Sequence, residues 1–336
     1  MPYVRSDGDP PVVAHLTFVP FLPDRRCVAV PDGRGAVVLP AGRVRPGEHW
    51  LLDTCLRVPL ETAGFRMQQA HVFAVDGDHA YAWLDGDRYT GRRQHATVAW
   101  EAGLPGEIAD RLAAAGSATQ ARAVRDAARS FADQSDAGYY ADNVRLLEPA
   151  YLRGSTVEAG SGFGGDAAGW RANREMIVDG IDRDGTFLDL GCANGLLMES
   201  VAEWAAGRGY RIEPYGVDLA PGLVAEARRR LPAWADRIEV GNAIDCRPAG
   251  GRRFTFVHTL LDCVPARRRA DLLRHALAHL VEPGGRLLVS HYQPAGGTDR
   301  TAGQHLRVLG FPVDGEAGGD GSRPPQTAWV DAPPQP

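Results

Sequence analysis

The sequence predicts an α/β protein, with a smaller α+β region leading into a larger region built on a parallel sheet. Strand and helix alternate from Thr186 onward, the signature of a parallel sheet with helices on both faces. Short β-rich runs punctuated by Pro, Asp and Gly fill the first third. The chain is 336 residues long and 44% hydrophobic, enough for two domains that fold without disulfides.

In order along the chain, Val12–Val19, Cys27–Val30 and Ala36–Leu39 read as strands. His71–Val75 and His79–Leu84 follow, joined by the turn Asp76-Gly77-Asp78, and then Ala96–Trp100. From Glu107 to Ser135 the pattern is helical and rich in Ala and Arg, anchored by Ile108, Leu112, Val124 and Phe131. A stretch from Gly154 to Gly165 holds five glycines and suits a linker or a loop that closes over a ligand. The domain boundaries that follow are 1–115, a connector with a Gly-rich lid over 116–165, and 166–336.

Composition removes several chemistries. The chain contains no lysine, so its 37 basic residues are all arginines. That excludes a Schiff-base lysine, a pyridoxal phosphate anchor and a Walker A lysine. Net charge is 37 − 42 = −5, which gives no electrostatic footprint for nucleic acid. Five scattered cysteines without a Cys-x-x-Cys pair fit a reducing compartment and no structural zinc. The N-terminus lacks an apolar signal region and no apolar run reaches membrane-spanning length, so a cytoplasmic protein with no membrane partner is expected.

The second half carries the chemistry. Thr186–Leu190 is a buried strand that runs through Gly191-Cys192-Ala193-Asn194-Gly195 into a helix over Leu196–Arg208. Glycines let the backbone approach a ligand, and a helix N-terminus offers amide donors. Pro214–Val217 is the next strand, closed by Asp218, which stands 218 − 195 = 23 residues after the second glycine. A carboxylate at that place can accept both hydroxyls of a ribose. Helix Leu223–Leu231, strand Ile238–Val240 with Gly241-Asn242-Ala243, and strand Phe254–Thr259 come next. Helix Ala266–Val281, the turn Glu282-Pro283-Gly284-Gly285, strand Arg286–His291 and a final strand at Ala328-Trp329-Val330 complete the series.

Taken together, Asp-Leu-Gly-Cys-Ala-Asn-Gly, the strand-ending Asp, Asn-Ala and Pro-Gly-Gly resemble a class I S-adenosylmethionine-dependent methyltransferase over residues 166–332. A nicotinamide dinucleotide site would want G-x-G-x-x-G, whereas Ala193 and Asp189 suit a cationic ligand better than a pyrophosphate. The resemblance implies a Rossmann-like domain with S-adenosyl-L-methionine as cofactor. Asp189, Gly191, Cys192, Asn194 and Gly195 would cradle its methionine end. Asp218 and Leu219 would hold the ribose, Asn242 and Ala243 the adenine, and Thr259 the floor beneath the sulfonium.

Ligands of such sheets bind at the carboxyl ends of the strands. His291, His258 and Asp262 are therefore the candidate proton-handling groups, with Tyr292 beside them. Tyr139, Tyr140, Phe163 and Trp170, upstream of the first strand, would form an aromatic wall around a small-molecule acceptor. The Asn/Asp-Pro-Pro-Tyr signature of amino-methylases acting on nucleic-acid bases is missing after the fourth strand, where Leu260-Leu261-Asp262-Cys263 stands.

A second resemblance covers residues 10–115. The run through Gly42, Gly47, Glu48, Arg57, Glu61 and Gly64 resembles a Nudix box, but Val58 and Thr62 replace two of its three metal-binding glutamates, and Pro59 interrupts its helix. It implies a degenerate Nudix-like domain with no metal site. The expected function is methyl transfer to a small-molecule acceptor, in the class of specialised metabolites. A methyltransferase with an active Nudix half and a non-catalytic cofactor-binding module are the alternatives.

Overall fold

The structure, a computed structural model, describes residues 13–22, 24–48, 51–88, 99–292, 300–319 and 326–334. It divides into two compact units between Leu146 and Leu147.

The N-terminal unit is built on a mixed sheet around β1 (His15–Phe21). Strands β2 (Cys27–Pro31), β3 (Val37–Val38) and β4 (Ala41–Arg43) follow, then helix α1 (Leu52–Ala63), β5 (Phe65–Asp76), β6 (His79–Arg88) and β7 (Glu101–Gly103). The sheet order is β3-β2-β1-β6-β5, with β1 parallel to β6 and β5 antiparallel to β6. Helices α2 (Pro105–Ala114) and α3 (Ala118–Ala132) divide the predicted helical stretch at Gly116, whose φ of +81° no other residue adopts cheaply. The predicted strand Ala96–Trp100 falls mainly outside the described residues, and β7 begins just after it.

Both helices belong to this unit, including α3, which the sequence reading places in the connector over 116–165. Ile108, Leu112, Val124 and Ala127 pack in one core with Val19, Phe21 and Trp83 of the sheet. Trp83 donates its indole N–H to Ser130 Oγ at 3.0 Å, and Phe21 stacks on Phe131 with centroids 4.6 Å apart. The long helix α4 (Asp136–Leu152) runs across the division. The Gly-rich stretch and all that follows belong to the C-terminal unit.

That unit begins with α5 (Ala167–Arg174), capped by Asp166, which accepts the Gly169 amide at 2.8 Å. Then come β8 (Gly185–Leu190), α6 (Leu196–Ala206), β9 (Ile212–Asp218), α7 (Pro221–Arg230) and β10 (Ile238–Val240). β11 (Phe254–Leu260), α8 (Arg269–His275), β12 (Val281–Ser290), α9 (Ala302–Val308), β13 (Gly315–Ala317) and β14 (Thr327–Asp331) complete it. The sheet order is β10-β9-β8-β11-β12-β14-β13. The first five strands are parallel, and β14 and β13 add an antiparallel edge.

This is a doubly wound, Rossmann-like arrangement. The chain steps outward from β8 to β10, then returns to start again at β11 on the other side of β8. The reversal opens a crevice at the carboxyl ends of β8 and β11. Period-2 alternation sends Phe187, Phe256 and Leu288 to one face, where they pack with Trp170, Ile177, Val201 and Trp204. Burying each of these large side chains stabilises the unit by about 1.5–3 kcal/mol. No described helix is long and apolar enough to cross a membrane.

Candidate functional site

The turn from β8 into α6 is held by its own hydrogen bonds. The Gly191 and Cys192 amides both donate to Val217 O, at 2.8 and 3.1 Å, which ties the turn to β9. Ala193, at φ +47°, donates to Asp218 Oδ2 at 2.8 Å, and Gly195 donates to Cys192 O at 2.8 Å. Gly191 takes φ +88°, and a Cβ there would lie 2.9 Å from Cys263 Sγ. Gly195 takes φ +79°, and a Cβ would lie 2.7 Å from Leu231 Cδ1. Neither position admits a side chain without displacement. The expectation of free amides at this turn is corrected: between 191 and 195, all but the Asn194 amide are committed internally to the acceptors just named.

Carboxylates surround the turn instead. Asp218, half-buried at the end of β9, accepts Ala193 N on one oxygen and Ala220 N on the other, at 2.8 and 2.9 Å. Burial pushes its carboxyl up from the ordinary aspartate range, the two amides pull it down, and Asp189 and Glu148 raise it further. Glu148 accepts the Gly222 amide at the start of α7. Leu219 occupies the turn between β9 and α7.

Asp189 lies at the buried edge of this group, 2% exposed. Its Oδ1 stands 2.8 Å from His258 Nδ1, His258 Nε2 stands 3.0 Å from Ser290 Oγ, and Ser290 Oγ stands 2.9 Å from Thr327 Oγ1. Register explains the row. His258 is paired with Asp189 and Leu288, and Ser290 with Thr327, so one face of four strands carries the polar line. A carboxylate can only accept, so the shared proton of the first pair sits on Nδ1. His258 is 1% exposed with both ring nitrogens engaged, and its ring stacks on Phe187 at 6.2 Å. The sequence-based expectation of an accessible base at 258 is corrected to a buried residue that fixes Asp189.

The other expected residues sit as follows. Thr259 is fully buried between Leu190 and Val289, its hydroxyl donating to Leu260 O at 3.2 Å. Asn242 Oδ1 accepts the Ile244 amide at 3.3 Å, and Ala243 is buried beside it. Asn194 Oδ1 accepts the Leu196 amide at 3.1 Å, and its Nδ2 donates to Val157 O at 2.8 Å. Cys192 packs with Met198 and Val224, and burial pushes its thiol well up. Asp262 is exposed in the short turn that leaves β11. His291 donates its amide to Gln326 O at 2.8 Å and meets the His305 ring edge-on at 4.7 Å. Tyr139 and Tyr140 meet edge-on at 5.5 Å in the part of α4 that belongs to the N-terminal unit.

Phe163 and Trp170 are neighbours, edge-on with centroids 5.8 Å apart. Trp170 is a core residue as well, 5% exposed, with its indole N–H given to Ser200 Oγ at 3.0 Å. The Gly-rich stretch is folded around them. The Gly160 amide donates to Thr156 O and Phe163 to Glu158 O, at 3.0 and 2.9 Å, on either side of a 3-10 turn over Ala159–Ser161. Phe163 is thus already packed against Trp170, within a stretch that the sequence reads as a linker or a closing loop.

Sequence reasoning missed two residues here. Arg174, at the end of α5, places its guanidinium carbon 3.5 Å from the Tyr292 ring centroid, 5.0 Å from Trp170 and 5.4 Å from Phe163. Tyr151 directs its hydroxyl at Gly162, so that any side chain at 162 would collide with it. Burial and then the Asp262 and Asp218 charges push the Tyr151 phenol up, while Arg174 opposes them. Neither residue lies in a motif, so no local signal marked them.

In the N-terminal unit, Arg57 binds Glu48 through Nε at 2.5 Å and Nη2 at 2.8 Å, and reaches Glu61 at 3.3 Å. Arg45 holds the other side of Glu61 at 3.0 Å. Val58, where a Nudix helix would carry a glutamate, is buried against Gly42. Nothing in the structure supports a Nudix-like domain beyond the residues that suggested it. Among the described residues no cluster of three or more His, Cys, Asp or Glu is placed to hold a metal.

No protein-family model matches the sequence, and no curated protein matches it. Among solved structures, the chain is similar to CalS10, an amino pentose methyltransferase from Micromonospora echinaspora. Identity there is 24%, over 44% of this chain and 56% of that one, with a TM-score of 0.30. It is similar to the [4+2]-cyclase SpnF at 22% identity, over 41% of this chain and 56% of that one, at TM-score 0.29. Similarity to the PH0226 protein of Pyrococcus horikoshii OT3 is 14% identity, over 50% of this chain and 92% of that one, at TM-score 0.37. The chain spans little more than half the length of the first two. At TM-scores below 0.5 these likenesses bear on neither fold nor function.

Proposed function

We propose that the C-terminal unit binds S-adenosyl-L-methionine and transfers its methyl group to a small-molecule acceptor. The observation that carries the proposal is the chemistry of the β8–α6 turn. All of its amides but that of Asn194 are spent on Val217 O, Asp218 and Cys192 O, so it offers little to a pyrophosphate. Asp189, Asp218 and Glu148 gather there instead, which suits a ligand carrying an ammonium and a sulfonium. This donor and acceptor set fits the group.

When bound, S-adenosyl-L-methionine supplies a methyl group already activated for displacement. The chain's own residues bind and orient. Asp189, kept in place by His258, would receive the ammonium end along the turn from Gly191 to Gly195. Asp218, whose oxygens keep lone pairs beyond the two amides, would accept the ribose hydroxyls. Asn242 and Ala243 would border the adenine, and Leu219 the ribose. Positioning and exclusion of water supply much of the rate, and a base is needed only for an acceptor that carries a proton. Asp262, exposed at the end of β11, is the candidate for that task. A reducing, cytoplasmic setting suits the five free cysteines.

Incubation with methyl-labelled S-adenosyl-L-methionine and a panel of small-molecule acceptors tests the reading. Acceptor-dependent formation of S-adenosylhomocysteine, lost in Asp218→Ala, is expected. Tight cofactor binding with no release on any acceptor would favour a non-catalytic module.

A further inference from the structure

We infer that Arg174 and Tyr292 form an oxyanion subsite at the crevice, so that the acceptor carries a carboxylate or a phosphate monoester. The inference rests on the methyl-transfer reading for its account of the acceptor, but the subsite stands on the side chains alone.

Arg174 is half-buried, and it is the charged side chain that the aromatic residues enclose. The guanidinium carbon lies over the Tyr292 ring, 3.5 Å from its centroid, with Trp170 and Phe163 at 5.0 and 5.4 Å. Its one hydrogen bond among the described residues runs from Nη1 to Asn173 O at 3.2 Å, and it makes no ion pair there. That sets it apart from its neighbours. Arg171 on the same helix is paired with Glu175 at 2.7 Å, and Arg208 with Asp179 at 2.5 Å. A guanidinium stripped of part of its water and given no carboxylate keeps its Nε–Nη2 edge for a planar, two-oxygen acceptor.

A second observation concerns Tyr292. Its hydroxyl is buried and, among the described residues, makes no hydrogen bond of good geometry, the nearby Ser290 hydroxyl being taken up by His258 and Thr327. Burial pushes this phenol up, so it remains a protonated donor. A buried donor short of an acceptor is destabilising, and a ligand oxygen would relieve that.

The location is also right. Tyr292 is the second residue past β12, at the carboxyl edge of the sheet, two positions beyond the Ser290 that bonds His258. Arg174 is close enough to Tyr151 to oppose the effect of Asp218 and Asp262 on that phenol. The Asp189 and Asp262 carboxylates act on the Tyr292 phenol as well as Arg174 does, so the guanidinium is the cation set among acidic groups and aromatic rings there. An anionic, aromatic-compatible acceptor would be drawn to that guanidinium, beside a cationic cofactor held by Asp189 and Asp218.

Calorimetric titration of benzoate, phenyl phosphate and benzamide into the full chain tests this, with and without saturating S-adenosylhomocysteine. Benzoate or phenyl phosphate should bind, and the neutral amide should bind about tenfold more weakly or worse. Arg174→Gln should lose the preference for the anion, Arg174→Lys should keep part of it, and Tyr292→Phe should weaken it several-fold. Which anion binds tighter identifies the source of the charge. Equal binding of anion and amide to the wild-type chain overturns the subsite, as does an unchanged preference in Arg174→Gln. Should Arg174→Gln fail to fold, Tyr292→Phe decides on the same criterion. Failure of S-adenosylhomocysteine to bind would strike at the cofactor reading while the anion titration without it still reads Arg174.

Discussion

Replacing His258 with phenylalanine leaves Asp189 buried with its Nδ1 partner gone and Ser290 without its imidazole. Losing a buried hydrogen-bonded partner of a carboxylate costs about 3 kcal/mol. Denaturant unfolding should show a loss of that size, and His258→Phe within about 0.5 kcal/mol of wild type would remove the ladder from the account. Asp218 gives a pH prediction. Its carboxyl titrates above the ordinary aspartate range because burial disfavours the charge. Cofactor binding that needs the carboxylate must therefore weaken as pH falls through that raised value, earlier than for a free aspartate near 3.9. Calorimetry across pH 4–7 reads the onset, and Asp218→Asn should flatten it. Asp189, Gly191, Gly195 and Asp218 were legible in the sequence because strand–turn–helix chemistry is local. The partnership of Asp189 with His258 was not, because it joins positions 69 residues apart and depends on strand register.

Helix α1 supplies Arg57 and Glu61 to a cluster with Glu48 of the preceding turn, and this cluster sets a second pH dependence. Arg57 holds the Glu48 carboxyl down at about 2. A depressed carboxyl stabilises the fold above its unfolded value and loses that contribution as pH falls toward 2. Between pH 5 and pH 2 the N-terminal unit should lose about 1 kcal/mol through this group, allowing for solvent screening, and Glu48→Gln should remove that slope. The stretch from Gly154 to Gly165 calls for a different measurement. Its turn hydrogen bonds and the Asn194–Val157 bond predict measurable amide protection before any ligand is added. Hydrogen exchange at random-coil rates with and without S-adenosylhomocysteine would reduce it to a tether. Glycine content alone suggested mobility here, because composition says nothing of the side chain that arrives from 194.

Across the whole chain, the strands of the parallel sheet were legible to within a few residues, since each is a short apolar run between turn residues. α9 and β13 carried no comparable pattern, being seven and three residues long. The boundary between the units was harder to read. Ala- and Arg-rich α3 looks like a solvated connector, yet its narrow apolar stripe buries Val124 and Ala127 in the N-terminal core, beside Ile108 and Leu112 of α2. The crevice at the β8–β11 reversal is where S-adenosyl-L-methionine is proposed to bind. Titration of S-adenosyl-L-methionine into wild-type and Asp218→Ala protein at neutral pH tests it most directly. Saturable one-to-one binding, weakened about tenfold or more in Asp218→Ala, is the predicted result. Absence of binding to the wild-type chain, or equal affinity in the two proteins, would contradict it.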